Sequence, residues 1–447
     1  MPFGAERLAD ALAALDPDWR TAACCVALSG GPDSAAMVHA LAALREAGRV
    51  RAFRAVHVDH GLHAESAIWA RRCHELCESL RVPLQTLGIA VAMPPGDSLE
   101  AAARGARYAA LAKLLQPGEW LLTAHHRDDQ LETVLIQLLR GSGVAGLAGM
   151  PTRARFGPGW HGRPLLDVDR AELATYARQQ GIEVVQDPSN ADPRFDRGWL
   201  RTQVLPALFA RWPAAAATVG RSARHLAQAA RLLAALAEAD AAAVLDEGRL
   251  AVEELRRLPR ERQANLLRWW IRSRGLRPPP AARLDAVLEG VLDARRDARP
   301  LVRWGGGEIR RYRDRLYALA TLMDREAENL AIAEPAGTCV ELGHGLGRLR
   351  LVPGHGAGLR TPLGGAVELR FRGGGESIRP HAARPRKRLK DLCQEAGVVP
   401  WMRGRLPLVY VGGRLAAVAD LWVDTEFAAA PAEASLLPVW EQRPPLF

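Results

Sequence analysis

Lysine is nearly absent from this 447-residue sequence, and four features that would indicate particular protein classes are missing altogether. No Gly-Lys pair occurs, so the chain has no Walker A motif, and the kinase and GTPase classes that depend on this motif are excluded. No Cys-x-x-Cys pair occurs among the six cysteines, and their irregular spacing indicates a reducing compartment. Apolar residues never run together for the ~18 positions of a membrane span, and no secretion signal is recognisable. These absences predict a cytoplasmic protein without a membrane partner.

Arginine supplies almost all of the positive charge, because only Lys113, Lys387 and Lys390 are lysines. The chain has 60 Lys and Arg residues against 50 Asp and Glu residues, which gives a net charge of +10 and a pI near 9.9. Such an excess favours a polyanionic partner, since guanidinium groups bind phosphate oxygens in pairs. A composition biased toward arginine for solubility alone explains the charge equally well.

The length predicts about three domains, each with its own core. Our boundaries are residues 1–210 for a catalytic α/β domain, 211–243 for a helical linker, 244–325 for a small, mainly helical middle domain and 360–440 for a small α+β C-terminal domain.

Short apolar runs alternate with helical patterns in the first half of the chain, which predicts a doubly wound parallel sheet. The strand candidates are Ala22–Leu28, Ala52–Val58, Val82–Ile89, Trp120–Thr123 and Ile182–Val185. The helix candidates are Asp33–Glu46, Ser66–Leu80, Ser98–Leu115 and Arg127–Arg140.

The second half of the chain changes character twice. An alanine- and arginine-rich helical region follows residue 207 and includes a long helical pattern over Ala215–Leu245. From about Arg348 the chain becomes rich in glycine and β-forming residues, with the strand candidates LRLV, VELRF, LPLVYV and LAAVADLWV.

The segment SGGPDS, residues 29–34, joins the first strand candidate to a helix and predicts an anion site. Amides of the loop and of the helix N-terminus point at one spot, and Gly30 and Gly31 allow a close approach of the backbone. Ser29 and Ser34 add hydroxyl donors, Pro32 starts the helix, and Asp33 can hold Mg²⁺ between phosphates. The alternative is a tight turn in which Asp33 or Ser34 only caps the helix.

A G-x-G-x-x-G sequence occurs at Gly141–Gly146, but it follows a helix candidate, whereas a dinucleotide-binding fingerprint must follow a strand. We therefore reject a Rossmann dehydrogenase. The segment TAHHRDDQLET is more informative, because its spacing places His125, Asp129 and Glu132 on one helical face. Two carboxylates and an imidazole beside a triphosphate can bind Mg²⁺, remove a proton or orient an attacking group. Acidic residues that merely favour a helix N-terminus are the alternative.

Asp59 and His60 follow the second strand candidate and are candidates for contact with the nucleoside part of a bound nucleotide. A zinc site built from the nearby histidines with Cys73 and Cys77 is disfavoured by their placement.

These motifs together resemble the tRNA(Ile)-lysidine synthetases, a family of PP-loop ATP pyrophosphatases. The SGGPDS segment is similar to the PP-loop, and nearly the whole chain takes part in the resemblance through further stretches at Leu138–Met150, Pro164–Leu173, Gln186–Arg201 and Arg370–Arg403. The resemblance implies that ATP is cleaved between the α and β phosphates, with Mg²⁺, and that lysine is joined to C2 of the wobble cytidine of tRNA(Ile) with a CAU anticodon. It implies an adenylated cytidine as intermediate and release of pyrophosphate and AMP. It also implies a change of codon specificity from AUG to AUA, and of identity from Met to Ile.

The same resemblance implies substrate and RNA binding by the middle and C-terminal domains, and it assigns substrate-binding positions. Asp187, Asn190, Arg197 and Arg201 match a loop that flanks the active site in the family, and Gly198 stands where the family usually has Asn. In the C-terminal region, the basic residues and an aromatic residue that could hold RNA are Arg386, Lys387, Arg388, Lys390, Trp401 and Arg403. A solvated basic face is the alternative for this segment.

Two other functions stay open at this point. A PP-loop tRNA thiolase would share the ATP chemistry but normally needs cysteine pairs, and a non-catalytic RNA-binding protein would fit the arginine content. The oligomeric state is open, a homodimer included.

Overall fold

The computed structural model describes residues 2–59, 61, 65–90, 99–185, 192–295, 298–323 and 329–447. The chain divides into two compact units, residues 1–232 and 233–447. Among the described residues, no helix is long and apolar enough to cross a membrane.

The first unit is an α/β fold. Its strands are β1 (Cys24–Ala27), β2 (Arg54–Asp59), β3 (Leu84–Gly88), β4 (Trp120–Leu122), β5 (Arg153–Phe156) and β6 (Gly159–Gly162). Its helices are α1 (Ala5–Leu15), α2 (Pro32–Glu46), α3 (Ser66–Ser79), α4 (Leu99–Leu114), α5 (Arg127–Leu139), α6 (Val144–Leu147), α7 (Arg170–Gln179), α8 (Asp196–Trp199), α9 (Leu205–Arg211) and the long α10 (Ala215–Val244), which runs on into the second unit. A π-helical turn, Leu200–Val204, joins α8 to α9.

The six strands form one sheet in the order β3-β2-β1-β4-β6-β5, parallel except for β5. Alternate residues of β1 face opposite sides of the sheet, as strand geometry requires. Cys24 and Val26 pack in a core with residues of α1, α2, α3 and α7, whereas Cys25 packs on the other face with Leu111 of α4. Helices therefore cover both faces, and the predicted doubly wound sheet is confirmed.

One predicted strand is wrong. Ile182–Val185 has no strand conformation, although the amide of Val185 donates a hydrogen bond to the carbonyl of Gly30 over 2.9 Å. The fifth parallel strand is instead β6, which the sequence conceals because glycine stands at both of its ends. Gly159 is required there, since a Cβ atom would lie 2.1 Å from the carbonyl oxygen of Glu119.

The second unit contains 16 strands and four further helices among its described residues. Near its start are β7 (Leu245–Asp246), β8 (Arg249–Ala251), α11 (Val252–Arg256), α12 (Arg260–Ser273), α13 (Ala281–Ala286), a π-helical turn (Val287–Val291), β9 (Leu301–Trp304), β10 (Gly307–Tyr312) and β11 (Arg315–Leu319). The helices pack on an antiparallel sheet of order β7-β8-β11-β10-β9. The predicted helical region after residue 207 includes α11 and α12, and the strand-like run IRRYRDRLYAL, residues 309–319, falls on β10 and β11.

The rest of the unit is mainly antiparallel β-structure. Its elements are β12 (Leu330–Ile332), β13 (Cys339–Glu341), β14 (Arg348–His355), β15 (Leu359–Arg360), β16 (Val367–Phe371), β17 (Ser377–Ile378), β18 (Lys387–Arg388), α14 (Leu389–Glu395), β19 (Pro407–Val411), β20 (Arg414–Val418), β21 (Trp422–Val423) and β22 (Ala434–Glu441). All four predicted C-terminal strand segments fall on strands of this list.

Candidate active site

The site candidates of the first unit gather where the direction of the sheet changes. From β1 the chain moves outward to β2 and β3, and it then returns to place β4 on the other side of β1. Strands β1 and β4 are parallel neighbours, so the loops that follow them leave from the same edge. Ligands of doubly wound sheets bind in the crevice at this switch point.

The loop after β1 is held in shape by its own serines. The amide of Ser29 donates to Ser34 Oγ over 3.1 Å, the two hydroxyl oxygens lie 3.0 Å apart, and Ser34 Oγ donates to the carbonyl of Gly31. Gly30 has a φ of +85°, and a Cβ atom there would lie 3.1 Å from Val185 Cγ2. The backbone at Gly30 is therefore one that only glycine adopts without strain. Pro32 opens α2 with an amide-free first residue.

Asp33 lies in the first turn of α2, and its neighbour across the site is a histidine that the sequence analysis passed over. His126 Nε2 lies 3.6 Å from Asp33 Oδ2 and 3.4 Å from Asp129 Oδ2, so this ring sits between two carboxylates. Burial opposes protonation of the ring, but the contacts with Asp33 and Asp129 outweigh it and raise the pKa of His126. His126 is also the N-cap of α5, a position that its neighbours in sequence could have signalled.

Asp129 and Glu132 converge as predicted, and the residue that joins them is Arg201. Arg201 Nε donates to Glu132 Oε1 over 2.5 Å, and its terminal nitrogen donates to Asp129 Oδ1 over 2.9 Å. Arg197 approaches Glu132 Oε2 at 3.5 Å and donates to Thr133 Oγ1. Both carboxylates are buried, with 8% of Asp129 and 1% of Glu132 exposed. Charges this deep require partners, and the two arginines supply them.

The environments of the two carboxylates push their pKa values in opposite directions. Burial raises the pKa of both, and at Glu132 it prevails over the hydrogen bond from Arg201. At Asp129 the charge of His126, the hydrogen bond from the amide of His126 and the charge of Arg201 prevail over burial and lower the pKa. Asp129 is therefore the more readily ionised carboxylate of the pair.

His125 lies outside the helix, which differs from the expected arrangement. Helix α5 begins at Arg127, so the i, i+4, i+7 spacing does not apply to His125. Its ring is held from the strand side, where Thr123 Oγ1 lies 2.7 Å from His125 Nδ1. Burial, followed by the charge of Arg163, lowers the pKa of His125 well below its ordinary value.

A cavity of about 150 Å³ opens between the two loops. Its polar side is formed by Ser29, Asp33, Ser34, Thr123 and His125. The opposite wall is apolar and is made by Ala27, Leu28, Val56, Val58 and Leu111, with Arg107 at its margin. A polar end beside an anion-binding loop and an apolar wall fit the phosphate and base parts of a nucleotide.

The remaining candidates of the first unit do not join this cluster among the described residues. Asp59 Oδ1 accepts a hydrogen bond from the amide of Gly61 at the end of β2. His60, Asp187 and Asn190 lie outside the described residues. Gly198 is buried, and a Cβ atom there would lie 1.9 Å from the carbonyl oxygen of Asp192. The backbone approach at Gly198 therefore leaves no room for the asparagine of the resemblance.

The C-terminal basic residues divide into paired and unpaired groups. Arg386 lies 3.1 Å from Asp424 Oδ2, and Lys387 is paired with Glu395. Arg388 and Lys390 are exposed, and no ion pair joins either of them to a residue that the structure describes. Only the second group has its charge free for a phosphate backbone.

Trp401 and Arg403, which the sequence predicts to contact RNA, both have partners within the second unit. Trp401 is 8% exposed and packs edge-on against Tyr317 at 5.1 Å, so its ring is not available for stacking on a base. Arg403 is partly buried, and its guanidinium donates to the carbonyl of Val398 and to the hydroxyl of Tyr312. Trp401 belongs to the core of the second unit, and Arg403 hydrogen-bonds to residues next to it. From sequence alone, such a pair cannot be distinguished from a basic, aromatic surface.

Three family models match the chain in the order of its regions. A PP-loop domain matches residues 5–208, a TilS substrate binding domain matches residues 250–317, and a TilS substrate C-terminal domain matches residues 367–440.

Curated proteins match over almost the full length. The tRNA(Ile)-lysidine synthase of Methylococcus capsulatus is 42% identical over 93% of this chain and 95% of that protein. The enzyme of the same name from Coxiella burnetii is 39% identical over 91% of this chain and 90% of its own length. That of Pseudomonas aeruginosa is 42% identical, with 92% of each chain covered.

Proposed function

The chain belongs to the tRNA(Ile)-lysidine synthase family, and from this premise we propose how its residues perform the reaction. The protein is an ATP-using ligase that acts on tRNA(Ile). The proposed reaction joins L-lysine to C2 of the wobble cytidine of the CAU anticodon. One observation supports particular residues for this reaction. At the switch point of the sheet, His126 lies between Asp33 of the Ser29–Ser34 loop and Asp129, and Arg201 joins Asp129 to Glu132.

In the first step, the cytidine O2 attacks the α-phosphate of ATP, an adenylated base forms and pyrophosphate leaves. The loop amides and the hydroxyls of Ser29 and Ser34 are the proposed pyrophosphate ligands, with the N-terminus of α2 behind them. The apolar wall at Val56 and Leu111 would receive the adenine. Asp59 and His60 are proposed at the nucleoside side.

Asp33 is the proposed Mg²⁺ ligand, and its surroundings fit the role. Asp33 Oδ1 is buried and accepts no hydrogen bond from a described residue. An acceptor without a donor, next to a loop for phosphates, suits an ion that binds one or two carboxylates and completes its shell with phosphate oxygens and water. When bound, Mg²⁺ neutralises the charge that develops on the phosphates.

In the second step, the ε-amine of lysine attacks C2, the bond from C2 to the AMP oxygen breaks and AMP leaves. The amine must lose a proton to become the nucleophile. Asp129 is the proposed acceptor of this proton, because it is an ionised carboxylate at the switch point, next to the loop that is proposed to bind the phosphates. Glu132 holds Arg201 and Arg197 near the substrates. His125 is proposed to contact the bound nucleotide.

Several expectations from the sequence stay predictions. They are the residue ranges of the three domains and the linker, a homodimer and action in the cytoplasm. RNA contact by Arg388 and Lys390, and RNA binding by the loop at Asp187 and Asn190, are further proposals. The thiolase and the non-catalytic RNA-binding protein are not favoured, since the curated relatives carry the synthase name over most of the chain.

The decisive experiment measures ATP-dependent incorporation of labelled lysine into an unmodified tRNA(Ile) transcript with a CAU anticodon. A tRNA(Met) transcript and an Asp33→Asn variant serve as controls. We expect labelling of tRNA(Ile) alone, with at least about a hundredfold loss in the variant because the phosphate charge is no longer balanced. Pyrophosphate release on another RNA without lysine incorporation would retain the ATP chemistry and refute the lysidine assignment.

A further inference from the structure

A row of four hydrogen-bonding side chains leads from the sheet to the cavity. Arg163 donates a terminal N–H to His161 Nδ1 over 3.0 Å, His161 Nε2 lies 2.9 Å from Thr123 Oγ1, and Thr123 Oγ1 lies 2.7 Å from His125 Nδ1. Arg163, His161 and Thr123 are buried, whereas His125 lines the cavity. Strands β4 and β6 hold this row together, because Leu122 and Gly162 are paired in register.

The direction of each hydrogen bond in the row follows from the chemistry of its first member. A guanidinium group donates only, so His161 Nδ1 must accept, and the proton of that neutral ring lies on Nε2. His161 therefore donates to Thr123 Oγ1. The described residues offer the hydroxyl proton of Thr123 no other acceptor than His125 Nδ1, which must then accept it. The remaining proton of His125 lies on Nε2.

We propose that Arg163, His161 and Thr123 are positioning residues that fix His125 as a neutral imidazole with its proton on Nε2, so that it donates a hydrogen bond to the bound nucleotide. His125 lines the cavity together with Ser29 and Asp33, and its Nε2 is the ring nitrogen that does not contact Thr123. An acceptor oxygen of the nucleotide is its partner there. The identity of that nucleotide as ATP rests on the function proposed above.

The electrostatics of the row agree with neutral rings. Burial, with the charge of Arg163 next, lowers the pKa of His161 to about 3. The same two causes, opposed only by Asp129, lower the pKa of His125. A histidine with Nδ1 occupied as an acceptor and Nε2 already protonated cannot take the proton of the lysine amine. The row therefore separates the tasks of the site, with hydrogen-bond donation at His125 and proton acceptance at Asp129.

The first test reads the tautomer directly and does not depend on the reaction. Selective ¹⁵N labelling of histidine in the full chain, with long-range ¹H–¹⁵N spectra, identifies the protonated nitrogen of each ring, and a His125→Gln variant assigns the signal of His125. We expect His125 to be entirely in the Nε2–H form at about pH 7, with no signal from an Nδ1–H form. An Nδ1–H or doubly protonated His125 in the wild-type protein would overturn the proposal.

The second test compares Thr123→Val, which removes the hydroxyl, with Thr123→Ser, which keeps it. In Thr123→Val we expect a mixed His125 tautomer and a loss of about tenfold in the kcat of ATP-dependent pyrophosphate release, with KM for lysine unchanged. Thr123→Ser should restore both the Nε2–H signal and the rate. A Thr123→Val protein with wild-type kcat, or a Thr123→Ser protein as slow as Thr123→Val, would overturn the proposal. Failure of the lysidine assignment leaves the tautomer result standing, so the two failures are distinguishable.

Discussion

The charged cluster at the switch point and the basic segment near residue 390 use arginine in opposite ways. At the switch point, Arg201 bridges two buried carboxylates, and Arg197 and His126 are their further partners. In the C-terminal segment, Arg386 is paired with the buried Asp424 and Lys387 with the exposed Glu395. The neighbouring Arg388 and Lys390 are exposed without an ion pair to a described residue.

This contrast shows where charge is tied to structure and where it is free for a partner. A buried carboxylate pair fixes its arginine in one place, because removal of the arginine leaves uncompensated charge away from water. An exposed ion pair is screened and contributes little to stability. Mutations at the switch point should therefore lower both stability and catalytic activity. Mutations of the unpaired cations in the C-terminal segment should weaken RNA binding and leave stability unchanged.

The largest effect is expected for Arg201→Ala. The variant leaves Asp129 and Glu132 buried without their arginine, so we expect the free energy of unfolding to fall by about 3 kcal/mol. Lysine incorporation should fall by at least about a hundredfold, because the carboxylates are no longer oriented. Urea denaturation and the labelled-lysine assay measure the two quantities.

Arg194→Ala is the matched control, since Arg194 comes from the same segment but is an exposed partner of Asp192. Its free energy of unfolding should equal that of the wild-type protein within experimental error, because an exposed ion pair contributes little to stability. Equal losses in the two variants would remove the distinction between buried and exposed arginines.

The second prediction concerns the unpaired cations of the C-terminal segment. The double variant Arg388→Glu, Lys390→Glu should bind tRNA(Ile) about tenfold or more weakly at moderate salt, because phosphate contacts are lost and replaced by repulsion. Its free energy of unfolding should not change. Filter binding at two salt concentrations measures the affinity, and the difference from the wild type should shrink as salt is raised.

The control for this variant reverses two exposed arginines elsewhere. Arg20 and Arg51 precede β1 and β2 and so lie at the sheet edge opposite the switch point. The Arg20→Glu, Arg51→Glu protein has the same net charge as the double variant. If it lost as much affinity, a general charge effect would replace the proposed contact at Arg388 and Lys390.

The third prediction tests whether Trp401 contacts RNA or only packs in the core. Trp401→Phe should lower the free energy of unfolding by about 1 to 3 kcal/mol, because a buried ring is replaced by a smaller one. The affinity for tRNA(Ile) should stay at the wild-type value. Trp212→Phe is the control, since 57% of Trp212 is exposed. A loss of tRNA affinity in Trp401→Phe at unchanged stability would restore the stacking role.

The fold was predictable where local patterns are strong. The predicted helices of the first unit end within one or two residues of α2, α3 and α5, because apolar periodicity and Pro32 mark them. Strand β6 was not predictable, since Gly159 is there for a close backbone approach that only the folded sheet reveals. Val185, in the falsely predicted strand, instead packs on the loop at Gly30.

The candidate site was predictable at the level of strand ends and helix faces. The convergence of Asp129 and Glu132 follows from helical spacing, but their link to Arg201 spans more than 60 positions and has no local signal. The same limit applies to the row from Arg163 to His125, which depends on the pairing of β4 with β6. Burial decided the remaining case, since Trp401 is surrounded by basic residues in sequence and by the core in space.

The smallest effect is expected at Glu376, which holds a turn beside the basic segment. Its Oε1 accepts the amides of Gly373 and Gly374, each over 2.7 Å. Burial raises the pKa of Glu376, but these hydrogen bonds and the charge of Arg372 outweigh it, so the net shift is downward. A carboxyl group with a lowered pKa in the folded state stabilises the fold above its unfolded pKa of about 4.3, and this contribution is lost as the pH falls through the folded value.

Glu376→Gln keeps an acceptor oxygen but removes the charge. We therefore expect the wild-type protein to exceed the variant by about 1 kcal/mol in free energy of unfolding at about pH 7, and the difference to disappear progressively below about pH 4. Urea denaturation across this range measures it. A difference that is independent of pH would mean that the turn depends on the shape of the side chain and not on its charge. Acids of the C-terminal region would then hold the backbone without using their ionisation, whereas those at the switch point need it for their arginines.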